Sequence, residues 1–98
     1  MKIYEIKGRE VEMYSIGELA KELGRESQTI RKWEQGGIIP PTRFRDRTNK
    51  RLYPLEIVEG LKQISEEEDI TQGVSFKTTD FREKAFKLFR KVEKELLE

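Results

Sequence analysis

Residues 15–41 constrain the fold most strongly, because they predict two short helices joined at a glycine. Ser15 followed by Glu18 is a capping-box pattern, so the first helix is expected to begin there. Gly24 is expected to end it, since glycine readily takes the positive φ found after a helix C-terminus. The apolar stripe of this helix has i, i+3, i+4, i+7 spacing and consists of Ile16, Leu19, Ala20 and Leu23.

A second helix is predicted from about Gln28 to Gln35, with Ser27 as its cap. Ile30 and Trp33 lie on its inner face, where Trp33 is expected to join the core. The run GGIIPP follows directly, and its glycines and prolines end the helix and prevent it from resuming. Two short helices with a tight glycine turn between them are the helix-turn-helix arrangement.

The spacing of three residues supports that arrangement. Ala20 is small enough to let the two helices approach closely, Gly24 makes the turn, and Ile30 fills the interface from the second helix. Many helical hairpins meet this pattern by chance, so the following segment is needed to strengthen it.

Residues 42–53, TRFRDRTNKRLY, predict a wing, that is, a two-stranded ribbon with a basic tip. Thr48 and Asn49 are turn residues between Phe44 and Leu52. Asp46 is the single acid of the segment, whereas five residues are basic: Arg43, Arg45, Arg47, Lys50 and Arg51. A basic run can be an ordinary solvated surface, but its place after a helix-turn-helix favours a binding role.

From Tyr14 to about Ile64 the chain resembles the MerR-like winged-helix DNA-binding domain. The matching segments are YSIGELA at 14–20, Gly24, TIR at 29–31, Glu34, GIIPP at 37–41 and RLY at 51–53. The resemblance implies a partner, double-stranded DNA, with helix 28–35 in the major groove and the basic wing 43–51 on the phosphate backbone. The residues expected to contact DNA are Arg25, Ser27, Gln28, Thr29, Arg31, Lys32, Arg43, Arg45, Arg47, Lys50, Arg51 and Tyr53.

The distribution of charge agrees with that expectation. The whole chain carries a net charge of only +1. Residues 25–51, however, hold eight lysines and arginines against three acids, a local charge of +5. Positive charge is therefore concentrated on the predicted second helix and wing, as expected for a surface that meets phosphates.

Composition argues against several other classes of protein. The chain has no cysteine and no histidine, which removes disulfides, thiolate metal sites and the commonest general base. We expect no enzyme activity, no catalytic residues, no metal and no cofactor. No apolar run is long enough to span a membrane, so a cytoplasmic protein without a membrane partner is expected. No small-molecule effector is evident, because the predicted elements leave no segment to form an effector pocket.

The segments on either side of residues 14–65 complete the predicted domain organisation. Residues 1–13 are expected to form a β-hairpin, which either packs beside the wing or the last helix, or contacts a second copy. Pro54 favours the start of a third helix that runs to about Ser65. Residues 66–79 are expected to be a linker. The fold class is mainly α with a small β component: a winged helix-turn-helix with an N-terminal β-hairpin and a C-terminal amphipathic helix.

Residues 80–98 predict that final helix, capped by Thr79 or Asp80. Its wide apolar face is expected to form the seam of a homodimer, to fold back on the winged helix, or to bind another partner. The residues assigned to dimerisation are Phe81, Ala85, Leu88, Phe89, Val92 and Leu96.

Three functions remain open on the sequence. The first is sequence-specific DNA binding by a transcriptional regulator. The second is an architectural DNA-binding role, since small domains of this kind also resemble excisionase-like or packaging proteins of phages and mobile elements. The third is a protein-interaction adaptor whose basic surface meets an acidic partner.

Overall fold

The computed structural model describes residues 1–68 and 80–98, and it confirms the predicted winged helix-turn-helix class. A small sheet and the helices share one apolar core, which includes residues from both ends of the chain. The elements are β1 (Lys2–Ile6), β2 (Arg9–Ser15), α1 (Ile16–Glu22), α2 (Ser27–Gln35), β3 (Leu52–Pro54), α3 (Leu55–Glu67) and α4 (Phe81–Leu97).

Helix α1 begins at the predicted capping box. The backbone N–H of Glu18 donates to Oγ of Ser15 at 3.2 Å, and the N–H of Ser15 donates to Oε1 of Glu18 at 2.9 Å. Gly24 follows the helix with φ +67°, a conformation that side chains disfavour. This turn lets the N–H of Arg25 donate to the carbonyl of Ala20 at 2.8 Å, and α2 then packs across α1.

Helix α2 begins one residue earlier than the sequence suggested. Ser27 is its first helical residue, and Glu26 holds the cap position without a side-chain hydrogen bond. The carbonyl of Glu26 accepts from the N–H of Thr29 at 3.0 Å, which closes the first turn through the backbone. The prediction that Ser27 caps α2 is therefore wrong, because its hydroxyl is already inside the helix. Gly36 ends α2 as expected.

The three strands form one antiparallel sheet in the order β1-β2-β3. Lys2 lies opposite Met13 at the open end of the β1–β2 hairpin, whose turn is formed by Lys7 and Gly8. Tyr14 lies opposite Tyr53, so the hairpin extends the sheet at the strand that leaves the wing. Of the two arrangements considered for residues 1–13, the structure shows packing within the chain.

Helix α3 runs two residues past the predicted end, and α4 packs back against it. A Cβ on Gly60 would lie 2.6 Å from the methyl carbons of Leu88, so the two helices approach closely at a residue without a side chain. Nζ of Lys84 lies 2.8 Å from Oε1 of Glu68 at the adjoining ends of these helices. Asp80 holds the cap position of α4, but its side chain makes no capping bond. Residues 69–79, most of the predicted linker, lie outside the described residues, as does the alternative cap Thr79.

The fold-back of α4 covers most of the side chains that were expected to form a dimer seam. Leu88 is half-buried beside Gly60. The other five are buried in this chain's own core: Phe81, Ala85, Phe89, Val92 and Leu96. Their apolar surface is already removed from water within one copy, which argues against their assignment to an interface between copies. The homodimer itself stays a prediction.

Candidate nucleic-acid interface

Helix α2 divides into an inner and an outer face. Ile30 and Trp33 are buried, as predicted. The side chains on the opposite face point to solvent, because α1 covers only one side of the helix. Gln28, Arg31 and Lys32 are exposed, while Ser27 and Thr29 are half-buried. The outer face thus offers polar and basic groups of the kind that bind base edges and phosphates.

Trp33 packs the inner face of α2 against α4. Its ring meets the ring of Phe81 edge to face, with centroids 5.4 Å apart, so the first turn of α4 supports the back of the helix. The guanidinium carbon of Arg25 lies 5.3 Å from the centre of the Trp33 ring, a cation–π arrangement. Arg25, expected at the DNA surface, is therefore half-buried and held against the indole.

The wing is an irregular ribbon. Its two sides meet at a bridge between Arg45 and Arg51, where the N–H of Leu52 donates to the carbonyl of Phe44 at 3.0 Å and the N–H of Asp46 donates to the carbonyl of Lys50 at 3.1 Å. The buried hydroxyl of Thr42 donates to the carbonyl of Leu52 at 2.7 Å and fastens the base. The predicted ribbon is present, with fewer ladder hydrogen bonds than two regular strands would make.

Asp46 organises the tip of the wing. Its Oδ1 accepts from the N–H of Lys50 at 2.9 Å, from the N–H of Thr48 at 2.8 Å and from the Thr48 hydroxyl at 2.7 Å. These bonds, led by the one from Lys50, hold the pKa of the Asp46 carboxyl below its usual range. Asn49 completes the turn with φ +66°. The one acid of the wing is thus engaged with the backbone of its own turn.

Arg51 links the wing to α2. Its Nε lies 2.7 Å from Oε2 of Glu34, and both side chains are partly buried. Nε is only one of the nitrogens that a guanidinium group offers as donors, so Arg51 has further donors for a second acceptor. The pair sets where the basic wing lies relative to the outer face of α2.

Tyr53 lies in the core and not at the surface. It is fully buried, and its ring meets the ring of Phe89 edge to face with centroids 6.5 Å apart. Its hydroxyl has no hydrogen-bond partner among the described residues. Burial, reinforced by Glu34, raises the pKa of Tyr53 to about 12, so the phenol is neutral at physiological pH. This burial argues against the DNA contact expected for Tyr53, since covered atoms do not reach a phosphate.

One groove brings the outer face of α2 and the wing together. Arg31 lines it from the helix, and Lys50 and Arg51 line it from the wing. The remaining walls come from the start of α1 and the wing turn: Ser15, Ile16, Gly17 and Asn49. Basic side chains that are about twenty positions apart in the sequence therefore face one space.

Two of the predicted wing residues lie in a different place. Arg43 and Arg45 line a second groove, between the wing and the hairpin, with Ile6 and Leu97. Arg43 also faces Glu93 of α4, where burial raises the pKa of the carboxyl and Arg43 partly offsets that effect. Arg47 is exposed near the tip.

Sequence reasoning did not assign Ser15, Asn49 or Glu34 to the site. Ser15 was explained by its capping role and Asn49 by its turn chemistry, and both roles are correct. Neither role indicates that the two residues line one groove with Arg31. Glu34 lay within the motif run, but a sequence gives no sign of which cation an acid will meet.

Within residues 1–68 and 80–98, no helix has the length and apolar character needed to cross a bilayer. The same ranges contain no group of three or more acidic side chains placed to hold a metal ion.

Comparison with known protein families gives a match. The family model described as MerR HTH family regulatory protein matches residues 14–77, about two thirds of the chain. Strand β1 and helix α4 lie outside the matched region. Neither curated proteins nor solved structures gave a significant match.

Proposed function

This chain belongs to the MerR family of helix-turn-helix regulatory proteins, and on that premise we propose that it is a transcriptional regulator that binds double-stranded DNA at specific sequences. In this proposal α2 enters the major groove, and the wing contacts the phosphate backbone. The observation that carries it is the groove shared by Arg31 of α2 and by Lys50 and Arg51 of the wing.

The two halves of this surface have different chemistry. The exposed amide of Gln28 and the guanidinium of Arg31 can each make two hydrogen bonds to one base, adenine and guanine respectively. Lys50 and Arg51 supply positive charge next to that helix, where a duplex presents phosphates. We assign base recognition to the former pair and positioning on the backbone to the latter.

The ion pair between Arg51 and Glu34 supports the assignment of Lys50 and Arg51 to positioning on the backbone. Because Glu34 binds Nε of Arg51, the wing is held at a set distance from α2 before any ligand is present. A surface arranged in advance loses less conformational entropy on binding. Two phosphate-binding cations beside a recognition helix would then fix its register on the duplex.

The experiment is a selection of duplex fragments from a random-sequence pool at about 0.15 M salt, near physiological ionic strength, followed by sequencing of the retained fragments. A recovered sequence motif is expected. A motif with two-fold symmetry would support the further proposal that two copies bind together, with half-sites about one helical turn apart.

Two other outcomes would contradict the proposal in different ways. Retention of duplexes without any motif would indicate an architectural role, with binding governed by charge and by the deformability of the DNA. Retention of nothing would contradict DNA binding itself and favour the adaptor function, in which the basic surface meets an acidic protein.

A further inference from the structure

Strand β1 and residues 9–13 of β2 lie outside the region matched by the family model, yet the open end of this N-terminal hairpin reaches the basic wing. We propose that this end, through the side chain of Lys2, forms an outer flank of the DNA interface and contacts a backbone phosphate. The inference rests on the proposed DNA-binding function and extends its surface to a strand that the family match does not include.

The sheet register places Lys2 beside the wing. Lys2 lies opposite Met13, and Met13 lies opposite Pro54 in β3. Two residues further along β2, Ser15 lies opposite Leu52, which directly follows Arg51. The open end of the hairpin and the end of the wing therefore occupy the same edge of the molecule.

A groove confirms that the two segments are neighbours. Lys2 and Tyr4 of β1 line it on one side, and Asp46, Lys50 and Arg51 of the wing line it on the other. Lys50 and Arg51 also line the groove that contains Arg31 of α2. These two wing residues thus line both grooves, one with Arg31 of α2 and the other with Lys2 of β1.

The acids near Lys2 are engaged with other groups. Asp46 accepts three hydrogen bonds from the wing turn. Glu18 accepts from the N–H of Ser15 and pairs with the α-amino group of Met1. Lys2 is exposed and takes part in no ion pair among the described residues, so its ammonium group is available to an external anion.

The other end of the same hairpin provides a matched control. Arg9 is exposed and lies opposite Ile6 next to the hairpin turn. It lines a space with Leu55, Glu56 and Leu96, at the start of α3 and the end of α4. At about 3.3 Å per residue, four residues of strand separate Lys2 from Ile6 by about 13 Å. Arg9 therefore carries the same charge on the same hairpin, but it faces α3 and α4 and does not line the groove that contains Lys50 and Arg51.

The test measures binding of a labelled mixed-sequence duplex of about three helical turns at salt concentrations from about 0.05 to 0.2 M. Wild type, Lys2→Ala, Lys2→Arg and Arg9→Ala are compared, and thermal unfolding verifies that all four are folded. Lys2→Ala is expected to weaken binding by about threefold to tenfold and to lower the magnitude of the salt slope by about 0.9, the value for one phosphate contact. Lys2→Arg and Arg9→Ala are expected to bind like wild type.

The outcomes separate this inference from the function on which it rests. If wild type binds the duplex but Lys2→Ala and Arg9→Ala behave alike, the hairpin does not touch the backbone and the inference is overturned while DNA binding stands. If Lys2→Ala binds less tightly but keeps the wild-type salt slope, the loss is not a phosphate contact, and the inference is again overturned. If wild type does not bind at all, both proposals fail.

Discussion

Nε of Arg51 lies 2.7 Å from Oε2 of Glu34, and this contact joins the wing to α2 across 17 positions of sequence. Arg51 therefore has a structural role in addition to the phosphate contact that we propose for it. Separating these two roles requires substitutions at both ends of the pair.

We predict that Glu34 and Arg51 are energetically coupled by about 1 kcal/mol in a double-mutant cycle of unfolding, with Glu34→Ala, Arg51→Ala and the double variant. The value is modest because Arg51 remains partly exposed and water screens the pair. Urea unfolding measures this coupling free energy.

In DNA binding, the Arg51→Lys variant is expected to have lower affinity than wild type despite its equal charge, because lysine cannot serve two acceptors through a planar fork. Equal affinity would show that one charge suffices there.

For base recognition, we predict that Arg31→Ala and Gln28→Ala each weaken binding to the selected site by about 1–3 kcal/mol and relax the preference at one base position. The physical reason is the loss of two hydrogen bonds to a base edge. Gln35→Ala is the control, because Gln35 is exposed at the opposite end of the same helix. Fluorescence titration against single-base variants of the site provides the measurement. A uniform loss over all variants would show a phosphate contact instead.

Tyr53→Phe is expected to leave DNA affinity unchanged and to leave stability equal or raise it by up to about 1 kcal/mol. The substitution removes a buried hydroxyl that has no partner among the described residues, so it relieves a desolvation penalty and breaks no hydrogen bond that the structure describes. Urea unfolding and duplex titration are the two measurements. A clear loss of DNA affinity without a loss of stability would contradict this prediction and indicate that Tyr53 contacts DNA.

Phe89→Ala is predicted to lower the free energy of unfolding by about 3–5 kcal/mol, independently of protein concentration. Phe89 is fully buried within a single copy and packs on Tyr53. Phe86→Ala is the control with a smaller expected loss, since Phe86 is half-buried and its ring lies 4.6 Å from the guanidinium carbon of Arg82. The measurement is the unfolding midpoint of each variant at two widely separated protein concentrations. A midpoint that rises with concentration in wild type but not in Phe89→Ala would indicate that Phe89 supports association between copies.

The wing turn is predicted to loosen in acid. Hydrogen bonds to the ionised Asp46 hold its folded-state pKa below the unfolded value, so the stabilisation is complete above the unfolded pKa and is lost as the pH falls through the folded one. The loss is therefore expected below about pH 4, near the ordinary aspartate pKa. The amide resonances of Thr48 and Lys50, followed by NMR, should shift with the titration of Asp46. Asp46→Asn should abolish that dependence, and amides that follow only global unfolding would contradict the prediction.

Local signals made the helix-turn-helix predictable. The apolar stripe from Ile16, the capping box of Ser15 and Glu18, and the glycine turn at Gly24 each involve residues within one or two helical turns of one another. The structure matches all three. The one incorrect prediction in this region was the cap at Ser27. It misplaced the start of α2 by a single residue, which is the usual uncertainty of a helix end.

What the sequence determined by itself was which faces are apolar, where the helices and turns lie, and where positive charge is concentrated. The tertiary structure decided what each face meets. A helical stripe such as that of Phe81 and Phe89 shows that a face leaves water, but burial is non-directional, so a second copy and the chain's own core satisfy the pattern equally. The same holds for Tyr53 in the core, Arg51 on Glu34 and Lys2 beside the wing, because each depends on contacts between segments distant in sequence.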